Sequence, residues 1–270
     1  MFKLVALDLD NTLIGHDGRL SPRVKVAVAQ AQAQGAAVTI ATGRGPTPTE
    51  QYAEELGLTT PLICFQGAMI YDHRARRVLH ETRLEADTLP IVAALAEERG
   101  WHLHFEAPDM VYLPRNGNDS EQFSALFRLA NWKHVDDLLG DLPETPHKFM
   151  FSVRDPAERD ALVAVLRAAF SADPRLAGIA VVASHPILVE GLPHGLNKAG
   201  GLAWLAARLG LAASDVLAVG DNDNDVEMLR WAGWGVAMTG SSPAALAAAD
   251  WVAPSLEEDG VAVALEKFVL

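Results

Sequence analysis

Residues 4–13 read Leu4-Val5-Ala6-Leu7-Asp8-Leu9-Asp10-Asn11-Thr12-Leu13, an apolar run that ends in two carboxylates. A short apolar run rich in Leu and Val over residues 3–9 predicts a buried strand. The chain that follows supports a repeating pattern. Ser21 and Pro22 predict the N-cap and first position of a helix. Val24, Val28 and Ala31 give that helix an apolar side, and Gly35 ends it. Residues 36–41 predict a second buried strand, 46–56 a second helix stopped by Gly57, and 62–65 a third strand. Strand and helix in alternation predict an α/β fold, a parallel sheet with right-handed crossovers.

The alternation returns near the C-terminus. Residues 198–209 predict a helix with Leu202, Leu205 and Leu209 on one side. Strands are expected at 216–219, 235–237 and 251–253, with helices at 226–231 and 243–249. The middle differs. Two helical segments, 86–99 and 156–170, lie among candidate strands at 101–105, 110–113, 148–153 and 179–183. This mixture predicts an inserted α+β domain over residues 84–189, with residues 1–83 and 190–270 forming the two halves of one parallel-sheet core.

Bulk properties narrow the function. The chain has 270 residues, 50% of them hydrophobic and 21% charged, enough to bury a large core. Its formal charge of −13 argues against a general nucleic-acid or membrane-surface binder, since both partners are anionic. It does not exclude one anionic small molecule, because a bound cation reverses the local field. Cys64 stands alone, so no intramolecular disulfide forms. Asp8 and Asp10 interrupt the N-terminal apolar stretch, and no apolar run approaches the length of a membrane span. A cytoplasmic protein, a monomer or weak homodimer, is expected.

Four clusters carry possible chemistry. Asp8 and Asp10 follow the first strand, at the end where open parallel sheets bind ligands. Alone, the pair reads more readily as solvated acids in a turn. Residues 220–225, Gly-Asp-Asn-Asp-Asn-Asp, follow another strand and offer the oxygen atoms that suit a hard cation; an Asx-rich helix cap is the plainer reading. Thr42 and Gly43 follow the second strand, where a hydroxyl and a close-approach glycine can hold an anion. Lys198 opens a helix, against the helix dipole.

Their order is more telling than any one of them. The stretches LVALDLDNTL, IATGR, GLNKAGGL and VGDNDNDVEML resemble the haloacid dehalogenase superfamily, and more narrowly its Cof-type phosphatases. ICFQGAMIYD resembles the segment before the cap in that group. The resemblance implies a Rossmann-like core with an inserted α+β cap that sets specificity. It implies Mg²⁺ as cofactor and a small phosphorylated metabolite as substrate, a sugar phosphate above others, with pyridoxal phosphate, flavin mononucleotide and nucleotides open. Asp8 is then nucleophile and metal ligand. Asp10 binds the metal through its carbonyl and serves as acid and base. Asp221 completes the direct metal ligands, and Asp225 supports the metal through bound water. Leu9, Thr42, Gly43, Lys198 and Asn224 surround the phosphoryl group. Two departures stand out: Gln66 occupies a position where Asn is common, and Asn11 one where Gly is frequent.

Two rival functions share these residues. A phosphomutase would move the phosphoryl group to another sugar position. A phosphate-switched receiver also uses an acidic pair, an aspartate, a Thr and a lysine, but its phospho-accepting aspartate ends the third strand and it lacks a cap.

Overall fold

The computed structural model describes residues 2–115, 131–153, 156–185 and 187–270. It divides into two compact units. One comprises the chain up to Glu81 together with Leu196–Leu270; the other is Thr82–Gly195.

The first unit is built on five parallel strands: β1 (Leu4–Leu7), β2 (Ala37–Ile40), β12 (Val216–Gly220), β13 (Trp234–Met238) and β14 (Trp251–Ala253). They lie in the order β14-β13-β12-β1-β2. Every β1 residue is fully buried. Val5 and Leu7 enter one apolar core, Leu4 and Ala6 the other. Each of the larger side chains contributes about 1.5–3 kcal/mol of hydrophobic stabilisation. A strand with no solvent face explains why its sequence shows an apolar run rather than alternation.

Helices cover both faces. α1 (Pro22–Ala33) and the C-terminal helix α8 (Gly260–Phe268) share the first core through Val24, Val28, Val261 and Leu265. α5 (Lys198–Arg208), α6 (Val226–Trp231) and α7 (Pro243–Ala248) share the second through Leu202, Leu205, Met228 and Ala245. The expected Ser21 cap is present, its side chain accepting from the Arg23 N–H. α2 (Pro46–Glu55) follows β2.

One strand sits elsewhere than its sequence suggests. β3 (Leu62–Cys64) heads a separate antiparallel sheet with β4 (Met69–Asp72) and β5 (Arg77–Glu81). It meets the parallel sheet at an isolated bridge between Ala41 and Ile63, where the Thr42 N–H donates to the Ile63 carbonyl at 2.9 Å. β2 ends as β3 begins, so no ladder extends between them.

The turn from β3 to β4 brings Gly67 against the start of α5. Gly67 has φ +93°, and a Cβ there would lie 2.2 Å from the Asn197 carbonyl oxygen. Asn197 caps α5, accepting from the Gly200 N–H at 2.8 Å. Gly67→Ala is therefore expected to destabilise the chain by at least about 1–3 kcal/mol, combining left-handed strain with a backbone clash. Urea unfolding checks this; an unchanged midpoint would contradict the close approach.

The second unit holds a six-stranded sheet. Its strands are β6 (His102–Ala107), β7 (Met110–Pro114), β8 (Trp132–Val135), β9 (Lys148–Ser152), β10 (Ile179–His185) and β11 (Leu188–Pro193). They are ordered β10-β11-β9-β6-β7-β8. All pairings are antiparallel except β7 with β8. Helices α3 (Leu89–Arg99) and α4 (Pro156–Ala172) pack against one face through Val92, Leu162, Leu166, Phe105, Phe149 and Phe151. The alternate residues carry a buried ion cluster, Lys148 Nζ lying 3.1 Å from Glu106 and 3.3 Å from Glu190. Pairing of β11 with β9 and β10 carries this unit through Gly195, beyond the expected return to the core at residue 190. Among the described residues no helix is long and apolar enough to cross a membrane.

Candidate active site

The strand order explains why distant residues meet. From β1 the chain first adds β2 on one side and later β12 on the other, so the order reverses between β1 and β12. Such a reversal leaves a crevice at the carboxyl ends of the strands. Leu7 is level with Ile40 and Val219, which sets Asp8 beside the first residues after β2 and the last of β12. The Asp8 N–H donates to the Val219 carbonyl at 2.9 Å.

Lys198 reaches into this crevice from the first position of α5. Its Nζ donates to Asp8 Oδ1 at 2.5 Å and to Asp225 Oδ1 at 2.7 Å. Asp225 is fully buried, and its second oxygen accepts from the Asp221 and Asn222 N–H groups, each at 3.0 Å. Thr12 donates its hydroxyl to Asp221 Oδ1 at 3.1 Å. Carboxylate oxygens of Asp8, Asp221 and Asp225 all lie within 4.8 Å of one another.

Three carboxylates around one ammonium leave an excess of negative charge. Burial, then Asp225, hold the Asp8 carboxyl well above the usual range, with Lys198 opposing. Burial and Asp225 push Asp221 up to about 6, again against Lys198. Burial opposes the charge on Lys198, but Asp225 and Asp8 outweigh it and raise its pKa. Raised carboxylates in an all-oxygen cluster fit a hard divalent cation, which would relieve the repulsion. The donor set therefore suits Mg²⁺. His102 and His104 gather no third ligand of this kind among the described residues.

Asp10 stands apart from that cluster. Its carboxylate is half exposed and is gripped by Arg44, whose Nε and Nη2 donate to Oδ2 at 2.9 Å and Oδ1 at 2.5 Å. The turn after β1 separates the two acids: Asn11 has φ +60°, and the Leu13 and Ile14 N–H groups both bond the Leu9 carbonyl. Asn tolerates that left-handed position as Gly would, which accounts for the residue found there. Thr42 is buried, its hydroxyl oxygen accepting from the Arg44 N–H at 3.1 Å. Asn224 donates to Gln66 Oε1 at 3.1 Å.

Asp8, Asp221, Asp225 and Lys198 thus form one bonded group. Asp10, Leu9, Thr42, Gly43 and Asn224 lie on the turns that border it. Sequence reasoning assigns no role to Thr12 or Arg44. The only signal for them is position, since both lie within stretches singled out at strand ends.

The sequence signature of haloacid dehalogenase-like hydrolases matches residues 5–265. The chain is 31% identical to the pyridoxal phosphate phosphatase YbhA of Escherichia coli (strain K12), over 96% of each chain. It is 29% identical to the 5-amino-6-(5-phospho-D-ribitylamino)uracil phosphatase YcsE of Bacillus subtilis (strain 168), over 99% of this chain and 96% of that one. Among solved structures, a haloacid dehalogenase-like hydrolase from Bacteroides thetaiotaomicron superposes with a TM-score of 0.88 at 25% identity, covering 99% of both chains.

Proposed function

The chain belongs to the haloacid dehalogenase-like hydrolases, and from that premise we propose a Mg²⁺-assisted phosphatase that acts on small phosphorylated metabolites through Asp8. The observation that carries this reading is the buried group of Asp8, Asp221, Asp225 and Lys198 at the sheet's reversal point. Two relatives named as phosphatases of a phosphorylated ribityl compound and of pyridoxal phosphate support the substrate class, and sugar phosphates fall within it.

In this reading an Asp8 oxygen attacks phosphorus, and the bond from phosphorus to the leaving oxygen breaks. Asp10, freed from the Arg44 ion pair and protonated, gives its proton to that oxygen. Asp10 then takes a proton from water, which attacks the aspartyl phosphate and releases inorganic phosphate with Asp8 restored. The covalent intermediate divides one difficult displacement into two. Lys198 offsets the repulsion between a carboxylate nucleophile and a phosphate dianion. Thr42, Gly43, the Leu9 N–H and Asn224 hold the phosphoryl oxygens. Asp8, Asp221 and the Asp10 carbonyl would hold Mg²⁺ directly and Asp225 through bound water; the ion would supply Lewis-acid stabilisation of charge on the phosphoryl group. The second unit, residues 82–195, would select the leaving group. Phosphate release from a generic aryl phosphate and from a metabolite panel tests the reading. An isomerised sugar phosphate without free phosphate would favour a mutase instead.

The acidic group also predicts how pH and cation act together. Asp221 is raised from 3.8 to about 6, so the folded chain holds this proton more tightly than the unfolded chain. Its contribution favours folding below pH 3.8 and is lost as pH rises through about 6. A bound divalent cation should offset that loss. Mg²⁺ in large excess over its dissociation constant is expected to raise the unfolding temperature by roughly several degrees near pH 7.5. The gain should shrink below pH 6. Differential scanning calorimetry decides it; equal gains at pH 5 and pH 7.5 would count against the carboxylate cluster as the cation's site.

A further inference from the structure

Gln66 has been given no role beyond accepting from Asn224, yet its side chain is placed as a binding group. It is 3% exposed, between β3 and β4. Phe65, Gln66 and Gly67 take φ of +51°, +57° and +93° in succession. Two non-glycine residues in the left-handed region are a strained arrangement, and such strain collects at functional sites. The surrounding backbone holds it: the Phe65 N–H donates to the Arg44 carbonyl and the Gln66 N–H to the Thr42 carbonyl, both at 3.0 Å. The strained turn is thus fastened to the Thr42–Gly43 turn.

The amide is paired with that of Asn224. Gln66 Oε1 accepts from Asn224 Nδ2 at 3.1 Å. Turning the amide over would set two NH₂ groups against each other. Nε2 is therefore directed at Gly43, so closely that a Cβ on Gly43 would lie 2.6 Å from it. There Nε2 is buried with no hydrogen-bond partner among the described residues. A buried donor without an acceptor is costly, and native chains keep few of them. This one lies beside Thr42 and Gly43, with its other end tied to Asn224.

We propose that Gln66 Nε2 is a further phosphoryl-binding donor, hydrogen-bonding an oxygen of the substrate phosphate and of the inorganic phosphate product. The assignment rests on the phosphatase reading above. A neutral amide suits the position, because it binds the anion without adding charge to the site. Gln66 also links the two turns that border the group, so phosphate contact at Gly43 and the orientation of Asn224 are set by one side chain.

The test uses the full chain in buffer containing Mg²⁺, with inorganic phosphate as the probe, measured by titration calorimetry and as a product inhibitor. Gln66→Met keeps the length and removes the donor. Gln66→Glu keeps an acceptor for Asn224 and puts a carboxylate oxygen where Nε2 stood. Both are expected to weaken phosphate binding, by roughly ten- to a hundredfold for Met, the loss of a hydrogen bond to a charged group, and by more for Glu. Mg²⁺ affinity, read by thermal shift, should stay within about twofold, because no hydrogen bond or ligand-atom contact ties Gln66 to Asp8, Asp221 or Asp225. Gln66→Asn suits the left-handed backbone and should fold normally, yet bind phosphate more weakly because its amide is one methylene short. Unchanged phosphate binding in all three variants, with wild-type turnover intact, overturns this assignment alone. Loss of phosphate and Mg²⁺ binding together would mark Gln66 as a brace and overturn it as well. A wild-type chain that neither binds nor releases phosphate overturns the phosphatase reading and this assignment with it.

Discussion

Asp8→Asn is expected to reduce phosphate release by on the order of 10⁴-fold or more, as removal of a nucleophile does elsewhere. An amide of the same shape cannot form the aspartyl phosphate. The variant should nevertheless fold, and fold better. Burial, Asp225 and Asp221 all work against a charge at position 8, and only Lys198 favours it. Removing that charge near neutral pH relieves repulsion, so the unfolding temperature should rise. Sites built for reaction often give up stability in this way. Phosphate release and calorimetry on the same preparation check both halves. Activity within about tenfold of wild type would sink the nucleophile assignment, and a lowered unfolding temperature would contradict the electrostatic account.

Lys198→Met is expected to fail in both respects. The ammonium lies between Asp8 and Asp225 at 2.5 and 2.7 Å, fully enclosed. Its loss leaves buried carboxylates facing one another, and breaking a buried pair from one side costs about 3–5 kcal/mol. For a chain of this size that lowers the unfolding temperature by roughly 10 °C. Turnover should fall sharply as well, because nothing then offsets the repulsion between Asp8 and the phosphate. The defect should be pH-dependent. A carboxyl whose folded pKa is raised favours folding below its unfolded value and loses that contribution as pH rises through the folded one. Without Lys198 the folded pKa of Asp8 rises further, so lowering the pH from 8 towards 5 should recover much of the lost stability. An unfolding temperature equal to wild type at pH 8 would contradict the role given to Lys198.

Much of this site is legible in the amino-acid sequence. A strand buried on both faces is written as a continuous apolar run, so the ends of β1, β2 and β12 can be located from composition alone. Polar residues just past those ends fall at the carboxyl edge of the sheet, which is why Asp8, Thr42 and Asp221 stand out as site candidates. Asn197 and Lys198 are legible for a similar reason, as the opening of a periodic helix. Less is visible where strands are short or their pairing antiparallel. β4, β5, β8 and β11 carry no long apolar run.

Local sequence pattern is enough to specify the parallel sheet, the inserted second unit and the residues at the strand ends, because each depends on a few neighbouring positions. Which of those residues bond to one another is settled by the packing of the folded chain. Thr12 meets Asp221 across 209 positions, and Lys198 meets Asp8 across 190. Packing also separates the two acids of the first cluster, giving Asp8 to Lys198 and Asp10 to Arg44. It takes β3 out of the parallel sheet and turns Gln66 towards Gly43. The difference is one of range: burial patterns follow local periodicity, whereas a side chain's partner depends on which strands and turns pack side by side.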